Sequence, residues 1–428
     1  MSRVIGVGLW AMIVCSALAG CAHHKCCPPG AARKAQATAA ETMTTLVERG
    51  QIAPDLTALS TPEALQQGRQ AKPAPTKYRQ LHAEQCQCLA AANCALANLL
   101  EEESKLGASS AKGQRSASKP DAAMRRKMLA YRAVEERNHS AASALRAFYL
   151  LAEAESNRDR LNESRSETKR MIDNLKSLKD QGLHVDLDDR LLERQRLDLL
   201  DQRRQSQLLV SQLNGQLRSL IGLDADDETL IWPAADLTVT TGAVDEEAAV
   251  REGLAHRADI GMLRMMNDSL DVGTLPAARS ELQQADPMLG SSKRAGHLLG
   301  GANSAKNNAE LQTRRTQLQQ QLDDRTRTAT EEIRQKARAV ETRLQQIALA
   351  KQTRDVCEDQ LKRLEMKRDA DGVTPFDISK ARLELVRAES EQVRKVIAWK
   401  IAQVELKEAQ GLLATECGYN LPRGGCGQ

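Results

Sequence analysis

The chain has 428 residues, with 28 % charged and only 2 % aromatic side chains, and its 61 basic and 57 acidic residues leave a net charge of +4. So few aromatic residues exclude a thick globular core, and charges this well mixed exclude the one-sided basic surface with stacking aromatics that a nucleic-acid binder carries. Of the 7 histidines only His23 and His24 are adjacent, and none has a nucleophile motif beside it, so an enzyme is not expected, and no cofactor is implied.

Arg3 gives a minimal positive start, and Val4 to Ala17 form an apolar run of about 14 residues, too short for a bilayer but the length of an export-signal core. Leu18-Ala19-Gly20-Cys21 resembles the lipobox of bacterial lipoproteins, in which the cysteine is acylated and becomes the first mature residue. Residues 1–20 are then a signal peptide and Cys21 the lipidation site. The plainer alternative is an ordinary signal peptide with an incidental cysteine. Ala22 after the cysteine resembles lipoproteins kept at the outer membrane, so the expected location is that membrane, lipid-anchored and facing the periplasm.

Residues 21–77 are rich in Ala, Thr, Gln and Pro and read as a linker, with a short helix plausible around Lys34–Glu48. His23-His24-Lys25-Cys26-Cys27 could hold a soft metal, but structural sites need four ligands on an ordered frame, and a flexible tether explains the run more simply. Of 10 cysteines, Cys15 leaves with the signal and Cys21 goes to lipid. The others enter an oxidising compartment, where disulfides persist but their pairing is not readable from sequence.

From residue 78 a helical period takes over. Ala141, Leu145, Phe148 and Ala152 step by 4, 3 and 4, and Ile333, Ala337, Val340, Leu344 and Ile347 continue the same spacing. Such stripes bury one face against neighbouring helices. The run from Asp121 to Asp180 predicts a helix about 90 Å long, and the Gly- and Pro-free run from Ala302 to Asp371 one of about 100 Å. Each is followed by a turn and a second helix. Gly182 to Gly222 spans 40 positions and Gly372 to Gly411 spans 39, so a helical hairpin occurs twice.

The repeats divide the chain into a first hairpin over 78–223, an extended connector over 224–246, a second hairpin over 247–413 and a Cys/Gly-rich tail over 414–428. The connector holds the only β-like stretch, Glu228 to Thr240, with Trp232 read as a packing anchor. A short amphipathic helix is expected over Ala249–Arg264, and Leu89–Leu100 looks like its counterpart in the first half.

"AHRADIGMLR", "LRSLIGLDADDETLIWPAADLTV", "DGVTPFDISKARLEL" and the acylated start, in this order, resemble the TolC family of outer-membrane efflux proteins in its lipoprotein branch, over roughly residues 78–413. The resemblance implies a mainly α fold of two long antiparallel helical hairpins, assembled as a homotrimer whose helices close into a periplasmic tube. It implies hairpin tips that meet a periplasmic adaptor protein, here Gly182 and Leu183 with His184 and Val185, and Gly372, Val373 and Thr374 with Pro375. It places an entrance-gate carboxylate at Asp377, although Lys380 stands where a second acid is common. Asp377 reads equally as a carboxylate satisfying the start of a helix.

The family also inserts two membrane strands before each first long helix, and a spanning strand takes about 9–11 alternating residues. The corresponding slots, 101–123 and 270–308, lack that alternation and contain no Phe, Tyr or Trp, so loops and no membrane barrel are expected there. The leading function is a lipid-anchored efflux or secretion conduit component. The alternative is a barrel-less periplasmic scaffold or spacer without transport.

Overall fold

Two helix-forming runs too long for a globular core set the architecture. In the computed structural model, which describes residues 78–109, 119–181, 189–224, 229–240, 242–290, 303–367 and 373–422, they are rods. The elements are β1 (Tyr78–Leu81), α1 (Ala83–Ala92), α2 (Ala95–Ser109), α3 (Lys119–Asp180), α4 (Asp189–Leu220), β2 (Leu230–Pro233), α5 (Glu246–His256), α6 (Ala258–Asp268), α7 (Leu275–Ala285), α8 (Asn303–Met366), α9 (Pro375–Gln410) and α10 (Leu412–Glu416). The 62 residues of α3 and 64 of α8 give rods about 93 and 96 Å long. Cys21, Lys34–Glu48, Gly182–Val185 and Gly372 lie outside the described residues, as do residues 110–118 and 291–302.

The chain is mainly α. α3 packs along α4, α8 along α9, and α3 along α9, which orders the rods α4–α3–α9–α8 in one layer. The expected stripes form the seams. Ala141, Leu145 and Phe148 are buried, and Ile333, Ala337, Val340 and Ile347 join Val396 and Trp399 in one apolar cluster. Ala152 is only half-buried, and Leu151 beside it takes the inward place. Each large aliphatic side chain buried this way contributes about 1.5–3 kcal/mol.

Both hairpins end in the same device. Gly222 and Gly411 follow α4 and α9 at φ 72° and 76°, a left-handed conformation that glycine adopts without strain. Each sits against a break in a short helix pair. A Cβ on Gly222 would fall 2.8 Å from Asn93, between α1 and α2, and one on Gly411 2.8 Å from the His256 carbonyl oxygen, where α5 meets α6. Asn93 Nδ2 donates to the Ile221 carbonyl (2.7 Å) and Arg257 Nη1 to the Ala409 carbonyl (3.0 Å). The two halves thus repeat the same joint. The expected single helix over 249–264 is therefore two, broken where Arg257 turns its guanidinium onto the end of α9.

β1 and β2 form a parallel two-stranded ribbon, with Tyr78 opposite Leu230 and Leu81 opposite Pro233. Asn214, buried on α4, donates to the Ile231 carbonyl (2.9 Å) and accepts from the Ile231 N–H (3.0 Å), so its amide serves as a further strand. Trp232 is half-buried and meets Tyr78 edge-on at 5.9 Å.

The slots expected to be loops are partly helical where they are described, with residues 270–274 and 286–290 remaining turns. α2 extends through residues 101–109 and α7 fills 275–285, while residues 119–123 and 303–308 already belong to α3 and α8. α2 persists through its polar stretch because Arg137 of α3 holds it, donating to Asn98 (2.9 Å) and pairing with Glu101 (2.7 Å). In α7, Ala277, Ala278 and Leu282 join an apolar cluster with Met124, Met128 and Met262, and Glu281 bonds Arg132 (2.9 Å). A disulfide joins Cys88 of α1 to Cys417 just after α10, while Cys86, Cys94 and Cys357 are free.

Candidate functional site

Two places stand out: the start of α9, where the sequence puts a tip, and the joint at the other end of the rods. At the tip, Pro375 supplies the preset φ of a first helical residue, and Thr374 caps the helix. Thr374 Oγ1 accepts from the Asp377 N–H (3.2 Å), and Asp377 Oδ2 accepts from the Thr374 N–H (3.0 Å) and hydroxyl (2.7 Å). This reciprocal box satisfies two donors that would otherwise lack partners. The Thr374 hydrogen bonds hold the Asp377 carboxyl below its ordinary pKa, with Lys380 adding to the effect. The cap reading of Asp377 is thus met in full, and the carboxylate stays ionised at neutral pH, as a gate carboxylate also requires.

Val373 packs among Leu361, Leu364, Ile378 and Ala381, so it fastens the tip to α8 and α9. Thr374 is exposed beside it. Gly182, Leu183 and Gly372 fall outside the described residues, as does Cys21. Behind the tip, Phe376 packs on Met171, Leu175, Leu192 and Leu383, and Ser379 donates to Glu167 of α3 (2.7 Å). Glu167 and Ser379 are both buried. Nothing in the sequence singles them out, because their partners lie 212 positions apart.

At the joint, a cleft of about 330 Å³ opens between α3, the α5–α6 break, α8 and α9. Arg257 spans it, paired with Asp259 (2.9 Å) and Glu332 (2.8 Å), and Arg325 of α8 bonds Asp259 (2.8 Å). Burial pushes the Asp259 carboxyl up, but its bonds from Arg257, the Ile260 N–H and the charge of Arg325 outweigh it and hold the pKa below the ordinary value. On the opposite wall, His139 bonds Glu408 (3.0 Å), which Arg146 also pairs. Apart from Glu135, whose carboxyl burial and the nearby Asp259 push up, the carboxylates lining the cleft are paired with basic side chains, so the cleft works as an ionic joint holding four elements. Among the described residues, no group of three or more His, Cys, Asp or Glu is placed to hold a metal.

The His139–Glu408 hydrogen bond raises the histidine pKa, against the opposing effect of burial. A raised folded-state pKa stabilises fully below the unfolded value of about 6.5 and is lost as pH rises through the folded value. His139→Gln is therefore expected to flatten the fall in stability between about pH 6 and 8. Denaturant midpoints measured across that range check this, and an unchanged slope overturns it.

No family model matches the chain, and no curated relative is similar to it. Solved structures do resemble it. The outer-membrane channel OprN superposes with a TM-score of 0.57 at 14 % identity, covering 84 % of this chain and 98 % of that one. The CmeC outer-membrane channel of Campylobacter jejuni gives 0.56 at 13 % identity, covering 77 % and 85 %. CusC gives 0.56 at 12 % identity, covering 79 % and 97 %. At such identities the likeness establishes architecture, and the architecture is that of the TolC-like outer-membrane channel fold.

Proposed function

We propose that this chain is a component of an outer-membrane efflux or secretion conduit, lipid-anchored through Cys21, whose long hairpins assemble as a trimer into a periplasmic tube. The supporting observation is the single layer of rods α4–α3–α9–α8, a wall too thin to enclose a core by itself. Walls of this kind reach stability by closing on copies of themselves. In this reading the tips, Gly182-Leu183 and Gly372-Val373-Thr374, face a periplasmic adaptor, and Asp377 adds negative charge at the entrance.

The same reading makes the lipid the main membrane attachment. α2 ends at Ser109 and α3 begins at Lys119, which leaves nine residues where a pair of crossing strands takes about 20. An irregular, lipid-exposed backbone does not cross hydrocarbon, because its polar groups stay unpaired.

Two measurements on the full chain test this function. Mass in mild detergent is expected to be about three protomers. Exchange of the lipidated signal for a non-lipidated one is expected to release the protein into the soluble periplasmic fraction. A strict monomer at micromolar concentration favours the scaffold alternative. Resistance of the non-lipidated protein to carbonate extraction overturns the barrel-less anchoring.

A further inference from the structure

The ionic pairs at the joint leave one carboxylate over. The basic side chains around the cleft are already engaged: Arg257 by Asp259 and Glu332, Arg325 by Asp259, Lys336 by Glu405, and Arg146 and His139 by Glu408. Glu135, half-buried on the α3 wall of the same cleft, has no hydrogen bond or ion pair among the described residues. The positive charges that act on it, His139 and Arg325, belong to those pairs. Burial and the charges of Asp259 and Glu136 outweigh them and push its carboxyl up. A carboxylate held this way, short of both water and counter-charge, is stabilised by any cation that reaches it.

His256, at the end of α5, lines the cleft too. Its Nδ1 lies 2.9 Å from the Glu252 carbonyl oxygen, one turn back along its own helix. A carbonyl only accepts, so Nδ1 carries the hydrogen, and the neutral ring keeps its Nε2 lone pair as an acceptor with no partner among the described residues. Short apolar side chains, Val134 of α3, Ala258 of α6 and Ala409 of α9, line the cleft between the polar groups. Its volume of about 330 Å³ lies at the lower end of the range for small-molecule sites, about 300–1,000 Å³.

We propose that this cleft binds a small organic cation carrying a primary ammonium group, with Glu135 as its counter-charge, His256 Nε2 as a second acceptor, and its alkyl part against Val134, Ala258 and Ala409. An ammonium brings one charge and three N–H donors, which a lone carboxylate and an imidazole lone pair can take up. A hard divalent metal ion asks for about six or more oxygen ligands, and among the described residues no three His, Cys, Asp or Glu side chains are placed to hold one. Every lining residue belongs to one chain, so the site does not depend on the assembly proposed above.

Titration of the full chain in mild detergent with n-butylammonium chloride, against sodium chloride at equal ionic strength, tests the site by calorimetry. Saturable binding, one cation per chain, is expected. Glu135→Gln is expected to weaken it about tenfold or more with helicity unchanged, the loss of a hydrogen bond to a charged group, while Glu135→Asp keeps the charge and most of the affinity. Tetramethylammonium, which has the charge but no N–H, is expected to bind about tenfold more weakly than n-butylammonium. Absence of saturable binding, or equal affinity in Glu135→Gln, overturns the site. Equal affinity for tetramethylammonium overturns recognition through N–H donors. Saturable Mg²⁺ binding that Glu135→Gln abolishes would make this a metal site and overturns the proposal as well. Arg423 follows Pro422, whose carbonyl Tyr131 holds from four positions before Glu135 on α3. Binding that appears only in Arg423→Gln would therefore make the chain's own tail the occupant, and that too overturns the proposal.

Discussion

Cys88→Ser is expected to cost the folded state about 2–5 kcal/mol, the range seen when a native disulfide is removed. Cys88 and Cys417 bring Cα atoms within 5.2 Å across 329 positions, so the bridge constrains nearly the whole described chain. It also fixes a terminal strap. Gln87 donates to the Leu413 carbonyl (3.0 Å) and to Glu416 (2.9 Å), Tyr131 donates to the Pro422 carbonyl (3.1 Å), and the Arg137 guanidinium stacks over Tyr419 at 4.1 Å. Denaturant midpoints with and without reductant check the effect. Reduced wild type should match Cys88→Ser, and equal midpoints for oxidised wild type and the variant would show that the bridge constrains nothing. Cys86 serves as a control, since burial pushes its thiol up to about 12 and keeps it inert.

Asp259→Ala is expected to cost a comparable amount, about 3–5 kcal/mol, because it removes one partner of a buried ion pair. Asp259 is only 9 % exposed, and its loss strips Arg257 and Arg325 of their shared counter-charge. The acid dependence gives a second readout. A depressed carboxylate stabilises above the unfolded value of about 3.9 and loses that contribution as pH falls through the lower folded value. Asp259→Asn keeps the shape but should remove this part of the acid-induced loss. An acid limb identical to wild type would show that the joint does not depend on the charge.

The rods were legible in the sequence because a period of 3.6 over some 60 residues is a strong local signal. The stripes through Leu145 and Ile333 and the glycines at 222 and 411 needed no partner to be recognised. What was not legible depends on partners far along the chain. The α5–α6 break falls at Arg257, between His256 and Ala258, with no glycine or proline there, and Arg257 reaches the end of α9. The polar slots form helix where Arg137 and Arg132 reach over from α3. Of the candidate site, the Thr374–Asp377 cap was readable as a local four-residue motif. Glu167 and Ser379 behind it were not, and neither was the choice of Cys417 for Cys88.

The β1–β2 ribbon bears on how the chain carries force. Any pull on the segment ahead of Tyr78 enters the fold through β1. With β1 parallel to β2 and four residues in register, a load along the strand shears all the rungs together instead of opening them one at a time. From β2 the load passes through the Asn214 amide into α4 and so into the length of a rod. A pull on the segment ahead of Tyr78 would strain this small ribbon early, which makes it a mechanical fuse between that segment and the rods.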